Sequence, residues 1–287
     1  MFSHDKLKRR HFMATGSALV ASAVAHLSRP LKAAEKDPYG GWPIGVQSYS
    51  LRQFNTLEAI RHIQGMGLHF AEFYSKHLNV QATADQIAET SKLCAAAEIK
   101  LNAHGVNRFT KDHGANRKIF SFAKHAGIKN ITADPDPESF DSLDKLVAEF
   151  GIRICIHNHG PKHRYNTIAD IQNAVAKHHK WIGACVDTGH FIRGGTDPVK
   201  AVRELGPRVF AVHIKDDKFK GDPRSHNVVI GQANLDVVGL FKALKKINFP
   251  SDGSLSLEYE SNPQNPIDDM KQCLEVARAA IAKAGNA

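Results

Sequence analysis

The sequence predicts an α/β protein: a single (β/α)₈ TIM barrel behind an N-terminal signal segment. Three observations predict it. From Gly45 onward, short apolar runs alternate with helical patterns, and strands that alternate with helices build parallel βαβ units. Eight such units over roughly 250 residues match the length of a barrel of this kind. Several runs are apolar almost throughout, as strands buried on both faces must be. A doubly wound open sheet is the second architecture, but no Gly-x-Gly-x-x-Gly follows the first strand, so the usual dinucleotide signal is missing.

In chain order, Lys6-Leu7-Lys8-Arg9-Arg10-His11-Phe12-Met13 precedes an uncharged stretch from Ala14 to Ala25. A basic region before a short apolar one has the composition of an export signal. The paired arginines with Phe12 resemble a twin-arginine signal, and Ala23-Val24-Ala25 offers a small-residue cleavage site. Residues 1–34 are therefore read as the signal, with cleavage after Ala25 favoured, and residues 35–287 as the barrel. The expected location is periplasmic or exported; an uncleaved amphipathic anchor is the other reading. The net charge is +9. Of this, +3 lies in the first 25 residues, leaving about +6, too little on a domain this size to indicate nucleic acid. No apolar stretch in the body is long enough to span a membrane. Cys94, Cys155, Cys185 and Cys273 lack metal-ligand spacing and are expected as buried thiols.

The strand candidates are 45–50, 69–75, 100–106, 130–134, 153–158, 183–188, 209–215 and 254–260. Helix starts lie between them. Asn55 with Glu58, and Thr83 with Gln86, have capping-box spacing. Asp197-Pro198 and Asn265-Pro266 each place a capping residue before a first-turn proline. Leu57, Ile60, Ile63 and Met66 recur every three residues and predict one apolar helix face. Gly67, Gly127 and Gly151 fall where helices should stop.

Active sites of such barrels sit at the C-terminal ends of the strands, so polar residues there carry the most information. They are Glu72, His104, His157-Asn158-His159, Asp187-Thr188-Gly189-His190, His213-Ile214-Lys215-Asp216 and Glu258-Tyr259-Glu260. Side chains alternate across a strand. If Ile156, Ile214 and Leu257 face the helices, then His157, His213 and Glu258 point into the barrel, joined by Asp187. Each of four consecutive strands then offers one ligand-type side chain at similar height. Imidazole with carboxylate suits Mn²⁺, Co²⁺ or Zn²⁺ better than Ca²⁺. A single strand histidine is more often a satisfied core residue; the four together point to a metal.

At these residues the chain resembles the sugar phosphate isomerase/epimerase superfamily, the xylose isomerase-like barrels. The similarity runs from Val46-Gln47-Ser48-Tyr49-Ser50-Leu51-Arg52 to Ser256-Leu257-Glu258-Tyr259-Glu260. Its most specific pieces are Asp187-Thr188-Gly189-His190 and Val212-His213-Ile214-Lys215-Asp216. Gly231-Gln232-Ala233-Asn234-Leu235-Asp236 is similar to a glycine-containing segment of the family, with Ala233 where a second glycine is common. The resemblance implies a divalent metal held by His157, Asp187, His213 and Glu258. It also implies that His190 contacts a substrate hydroxyl. Lys215 is placed to hold an oxyanion, or merely to pair with Asp216 or Glu260. One departure matters: epimerases of the family commonly carry a glutamate on strand five, where this chain has His157. The His157-x-His159 arrangement is similar to dehydratase-like members.

The chemistry implied is metal-dependent proton abstraction beside the carbonyl of a keto-sugar or polyol. Returning the proton gives an isomerase or epimerase, the first reading; β-elimination gives a dehydratase or lyase, the second. Glu258, His157 and Lys215 are the catalytic candidates, Glu258 first as the base. His190, His159, His104, Glu72 and Glu260 are the substrate-contact candidates, with a structural ion pair as the alternative for Glu72. A non-catalytic carbohydrate-binding barrel and a multi-zinc endonuclease-like hydrolase complete the readings. The expected partner is a small carbohydrate, with no nucleic acid and no stable membrane insertion of the mature chain. A homo-oligomer is left open.

Overall fold

The computed structural model describes residues 37–285; the expected signal segment and cleavage site lie outside them. Eight parallel strands close into a barrel, in the order β1-β10-β7-β6-β5-β4-β3-β2. They are β1 (Ile44–Gln47), β2 (Phe70–Phe73), β3 (Lys100–Phe109), β4 (Asn130–Pro135), β5 (Arg153–His157), β6 (Ile182–Asp187), β7 (Val209–Ile214) and β10 (Ser254–Leu257). The short strands β8 (Asp216–Asp217) and β9 (Asn227–Val228) form a separate antiparallel ladder after β7.

The helices between strands are α1 (Thr56–Gly65), α2 (Ala84–Ala96), α3 (His113–His125), α4 (Phe140–Phe150), α5 (Ile168–Val175), α6 (Thr188–Arg193), α7 (Pro198–Leu205), α8 (Val237–Lys246) and α9 (Ile267–Gly285). Among the described residues, no helix is long and apolar enough to cross a membrane. Phe73, Phe109, Phe120, Phe191 and Phe241 are fully buried in the main core. All four cysteines are buried and free.

Local signals hold closely. Asn55 and Glu58 form a reciprocal capping box on α1, as Thr83 and Gln86 do on α2. Asp197 caps α7 with Pro198 in its first turn. Gly67, Gly127 and Gly151 each adopt positive φ after a helix.

Four expectations need correction. Leu57 is exposed and Met66 only partly buried. A repeat of three drifts around a helix that turns 100° per residue, so the buried face is Ala59, Ile60 and Ile63 instead. Pro266 sits just before α9 rather than in its first turn. The first strand stops at Gln47, where a 3₁₀ turn takes over from Ser48 to Leu51. The eighth barrel strand stops at Leu257, leaving Glu258 and Glu260 in the loop beyond it.

Candidate active site

Strand register brings the site together. His157 and Asp187 end β5 and β6, and Asp187 lies opposite His213 on β7. Leu257 lies opposite Ile214, so the next residues, Glu258 and Lys215, are neighbours at the barrel mouth. The four residues of Asp187-Thr188-Gly189-His190 have separate tasks. Asp187 Oδ1 caps α6 by accepting from the His190 amide at 2.7 Å, which commits one carboxylate oxygen and leaves the other free to face the barrel. Thr188 Oγ1 donates to the Lys215 carbonyl (2.6 Å) and accepts from the Lys215 amide (2.8 Å), pinning the end of β7. A Cβ on Gly189 would lie 2.8 Å from Lys215 Cβ and 2.6 Å from Asp217 Oδ2, so only glycine allows this approach. His190 then projects into the pocket. Asn158 clamps Asp187 from β5, donating to its carbonyl and accepting from its amide.

His157, Asp187, His213 and Glu258 are all buried, and one ligand atom from each lies within 4.8 Å of the others. His157 Nε2 is 3.0 Å from His213 Nδ1 and 3.2 Å from Asp187 Oδ2, and His213 Nδ1 is 2.9 Å from Glu258 Oε2. Asp187 Oδ2 and Glu258 Oε2 are buried and complete no well-aligned hydrogen bond; they meet only the Lys215 ammonium and the His157 and His213 imidazoles, at 2.9–3.8 Å. Such buried oxygens beside two imidazole nitrogens are what a divalent cation would satisfy. The donor set therefore fits such an ion.

Lys215 Nζ lies 3.1 Å from Asp187 Oδ2, 2.9 Å from Glu258 Oε2 and 2.5 Å from Glu260 Oε1. Its partner at the rim is thus Glu260; the Asp216 carboxylate bonds instead to backbone amides at 231–235. Burial disfavours the Lys215 ammonium, but the three carboxylates outweigh it and hold its pKa well above the ordinary value. Burial likewise pushes Glu258 and Asp187 upward, and Lys215 with the nearby histidines more than reverses it, so both stay ionised. On the other wall, burial pushes His159 down to about 2 and His190 to about 3. Both are neutral, and the Nδ1 of each is buried without a partner.

Glu72 and His104 stand apart. Glu72 is fully buried and accepts hydrogen bonds from Thr132 and from Ser256 (2.9 Å), with His213 Nε2 at 3.0 Å. A proton on His213 Nε2 directed at Glu72 leaves Nδ1 to face the cluster. His104 is tied by Nε2 to the Leu78 carbonyl at 2.8 Å and by Nδ1 to Asn107. Neither lines the pocket, so substrate contact there is replaced by positioning for Glu72 and packing for His104. His157, His159, His190, Lys215, Glu258 and Glu260 do line it, in a cavity of about 290 Å³. The opposite wall holds Gln47, Tyr49, Tyr74 and Val106, none of which stood out as a strand-end ionisable group. Their one available signal was the aromatic in the Val46–Arg52 segment.

The family described as xylose isomerase-like TIM barrel matches residues 60–280. An inosose dehydratase of Klebsiella pneumoniae subsp. pneumoniae is 27% identical over 169 residues, 52% of this chain and 54% of that protein. A second, from Clostridium botulinum, is 26% identical over 45% of this chain and 48% of the relative. The chain thus spans about half the length of the curated relatives it matches. Among solved structures, a xylose isomerase domain protein from Planctomyces limnophilus superposes with a TM-score of 0.67 at 18% identity, covering 86% of this chain and 99% of that one. The IOLI protein, whose structure holds a zinc atom, gives 0.68 at 17%, covering 84% and 99%. At these identities the structural likeness speaks to the fold alone. With most of the barrel matched, the chain belongs to the xylose isomerase-like TIM barrel family.

Proposed function

We propose that this chain is a metal-dependent enzyme that removes a proton beside the carbonyl of a keto-sugar or keto-polyol, and that elimination of a β-hydroxyl follows. The observation that carries the reading is the convergence of His157, Asp187, His213 and Glu258, all buried, with one ligand atom of each within 4.8 Å of the others. Two further points favour elimination over epimerisation. The matched curated relatives are inosose dehydratases, and His157 stands where two-carboxylate epimerisation would need a second carboxylate.

A divalent cation held by these four residues, Mn²⁺, Co²⁺ or Zn²⁺ by donor type, would polarise the carbonyl and an adjacent hydroxyl. Glu258, ionised and lining the pocket, takes the proton from carbon. Lys215, kept as an ammonium, donates to the developing oxyanion. As the C–O bond breaks, the proton held by Glu258 leaves with the departing hydroxyl as water, and the carboxylate is restored. The neutral His159 and His190 accept hydrogen bonds from substrate hydroxyls and fix which carbon faces Glu258.

Incubating the protein with keto-inositols and keto-hexoses in D₂O, with each metal in turn, tests this. Loss of water is expected, with deuterium reaching carbon as the enol product takes up a solvent deuteron and tautomerises to the ketone. Exchange without water loss would move the assignment to an isomerase or epimerase. No exchange with any metal would leave a carbohydrate-binding barrel. The basic start of the chain supports export, which fractionation of cells expressing the full chain beside an Arg9→Lys/Arg10→Lys variant would test.

A further inference from the structure

We infer that the pocket continues at its mouth into a subsite for a second ring, laid by its apolar face against Tyr49, Tyr74 and Val106. The substrate would then be a glycoside rather than a free monosaccharide. The inference rests on the carbohydrate reading above and extends it outward from the reacting ring.

Four large apolar side chains are exposed among the described residues: Tyr49, Leu57, Val106 and Phe219. Tyr49 (38% exposed) and Val106 (42%) line this one cavity, and Tyr74 lies between the mouth and the core. Apolar groups gathered at the rim of a polar pocket mark a surface that a ligand covers. The cavity itself, at about 290 Å³, is at the lower edge of ligand pockets. One ring occupies the enclosed end among the imidazoles and carboxylates, and a second lies on the open wall.

The wall is built rather than incidental. The buried Gln47 side chain donates from Nε2 to the Gly105 carbonyl at 3.2 Å and accepts at Oε1 from the Tyr49 amide at 3.0 Å. One amide thus ties together the two segments that carry Tyr49 and Val106. A Cβ on Gly105 would come within 1.9 Å of Thr132 Oγ1, so the backbone beside Val106 sits as close to β4 as glycine permits. Arg52 lies 4.8 Å over the Tyr49 ring, and its guanidinium donates to the Glu260 and Tyr49 carbonyls. Tyr74 meets Tyr49 at 87°, with centroids 5.3 Å apart. Held by Arg52 on its face and by the perpendicular Tyr74, the partly exposed Tyr49 ring is already oriented, which lowers the entropy cost of binding.

The chemistry of the wall selects an uncharged ring. Arg52 donates from Nη1 and Nη2 to two backbone carbonyls, and Lys215 is surrounded by three carboxylates. A pyranose or an aromatic aglycone each offers the apolar face required.

Equilibrium binding to the full-length protein with Mn²⁺ tests the subsite. The probes are methyl β-D-glucoside, phenyl β-D-glucoside and cellobiose, with the galactose- and xylose-based equivalents. The phenyl glycoside or the disaccharide is expected to bind about five- to tenfold tighter than its methyl partner; whichever does so identifies the second ring. In Tyr49→Ala and in Val106→Ser, each checked for folding by circular dichroism, that advantage falls below about twofold. Equal affinities, or an advantage that survives both substitutions, would overturn the subsite while leaving the carbohydrate reading in place. If no saccharide of any set binds, the subsite falls, and the deuterium-exchange assay with keto-sugars decides the carbohydrate reading on its own.

Discussion

The two halves of the barrel carry similar side chains at their strand ends and use them in opposite ways. On the β2–β3 side, Glu72 and His104 are buried with their polar atoms partnered inside the chain. On the β5–β10 side, the Nδ1 atoms of His157, His159 and His190 are buried with no partner, and Asp187 Oδ2 and Glu258 Oε2 are met only by the Lys215 ammonium and neighbouring imidazoles. Burying a polar atom without a partner is costly, so a fold that leaves three imidazole nitrogens open beside two buried carboxylates is holding places for something else. The difference between a structural and a functional strand-end residue therefore lies in whether its hydrogen bonds are already made.

That contrast can be broken experimentally, and the largest effect should come from the unpartnered half. Asp187→Asn keeps an acceptor for the α6 cap but removes a charged ligand; metal affinity by chelator competition should fall about 100-fold or more. Unchanged affinity would mean that the Asp187 carboxylate does not hold a cation. Next comes a link between the two sides. Glu72→Gln preserves shape while losing the charge that orients His213, and affinity should drop about ten- to 100-fold. His104→Ala lies wholly on the structural side. It should cost about 1–3 kcal/mol in urea unfolding by stranding its partners, with metal affinity unaltered. Burial pushes Cys94 up to about 12, and Cys185 and Cys273 to about 11. At pH 8, well below those values, they remain protonated, so a disulfide reagent should label them only after unfolding; rapid native labelling would show that the core opens. The smallest effect belongs to Leu57→Ser, expected within about 0.5 kcal/mol of the parent.

Much of this arrangement was legible in the sequence, for a physical reason. Capping boxes, helix-stop glycines and the Asp187-x-x-His190 turn are local, and their partners lie within three or four residues. Barrel closure followed from counting βα units. Glu72 and His104 could not be told from true pocket residues, because what distinguishes them is distant in the chain. Glu72 is satisfied by Thr132, His213 and Ser256, separated from it by 60, 141 and 184 residues, and His104 by the Leu78 carbonyl. The Tyr49 and Val106 wall was missed because weighing only ionisable strand ends discards the apolar side of a pocket.

Asp216 offers a consequence for how such a protein can diversify. Its carboxylate accepts four backbone amides, from Gly231, Ala233, Asn234 and Leu235, at 2.9–3.0 Å. Just beyond it, Asp216 and Asp217 pair with Val228 and Asn227. The excursion from Lys218 to His226 is thereby fastened at its base, and its ends stay together whatever its tip contains. Because closing a longer loop adds little once its ends are fixed, residues 219–225 form a cassette that can be lengthened or exchanged without loosening the barrel beneath. Transplanting foreign loops at this point, with Asp216 retained, is a practical way to give the same barrel different surface loops.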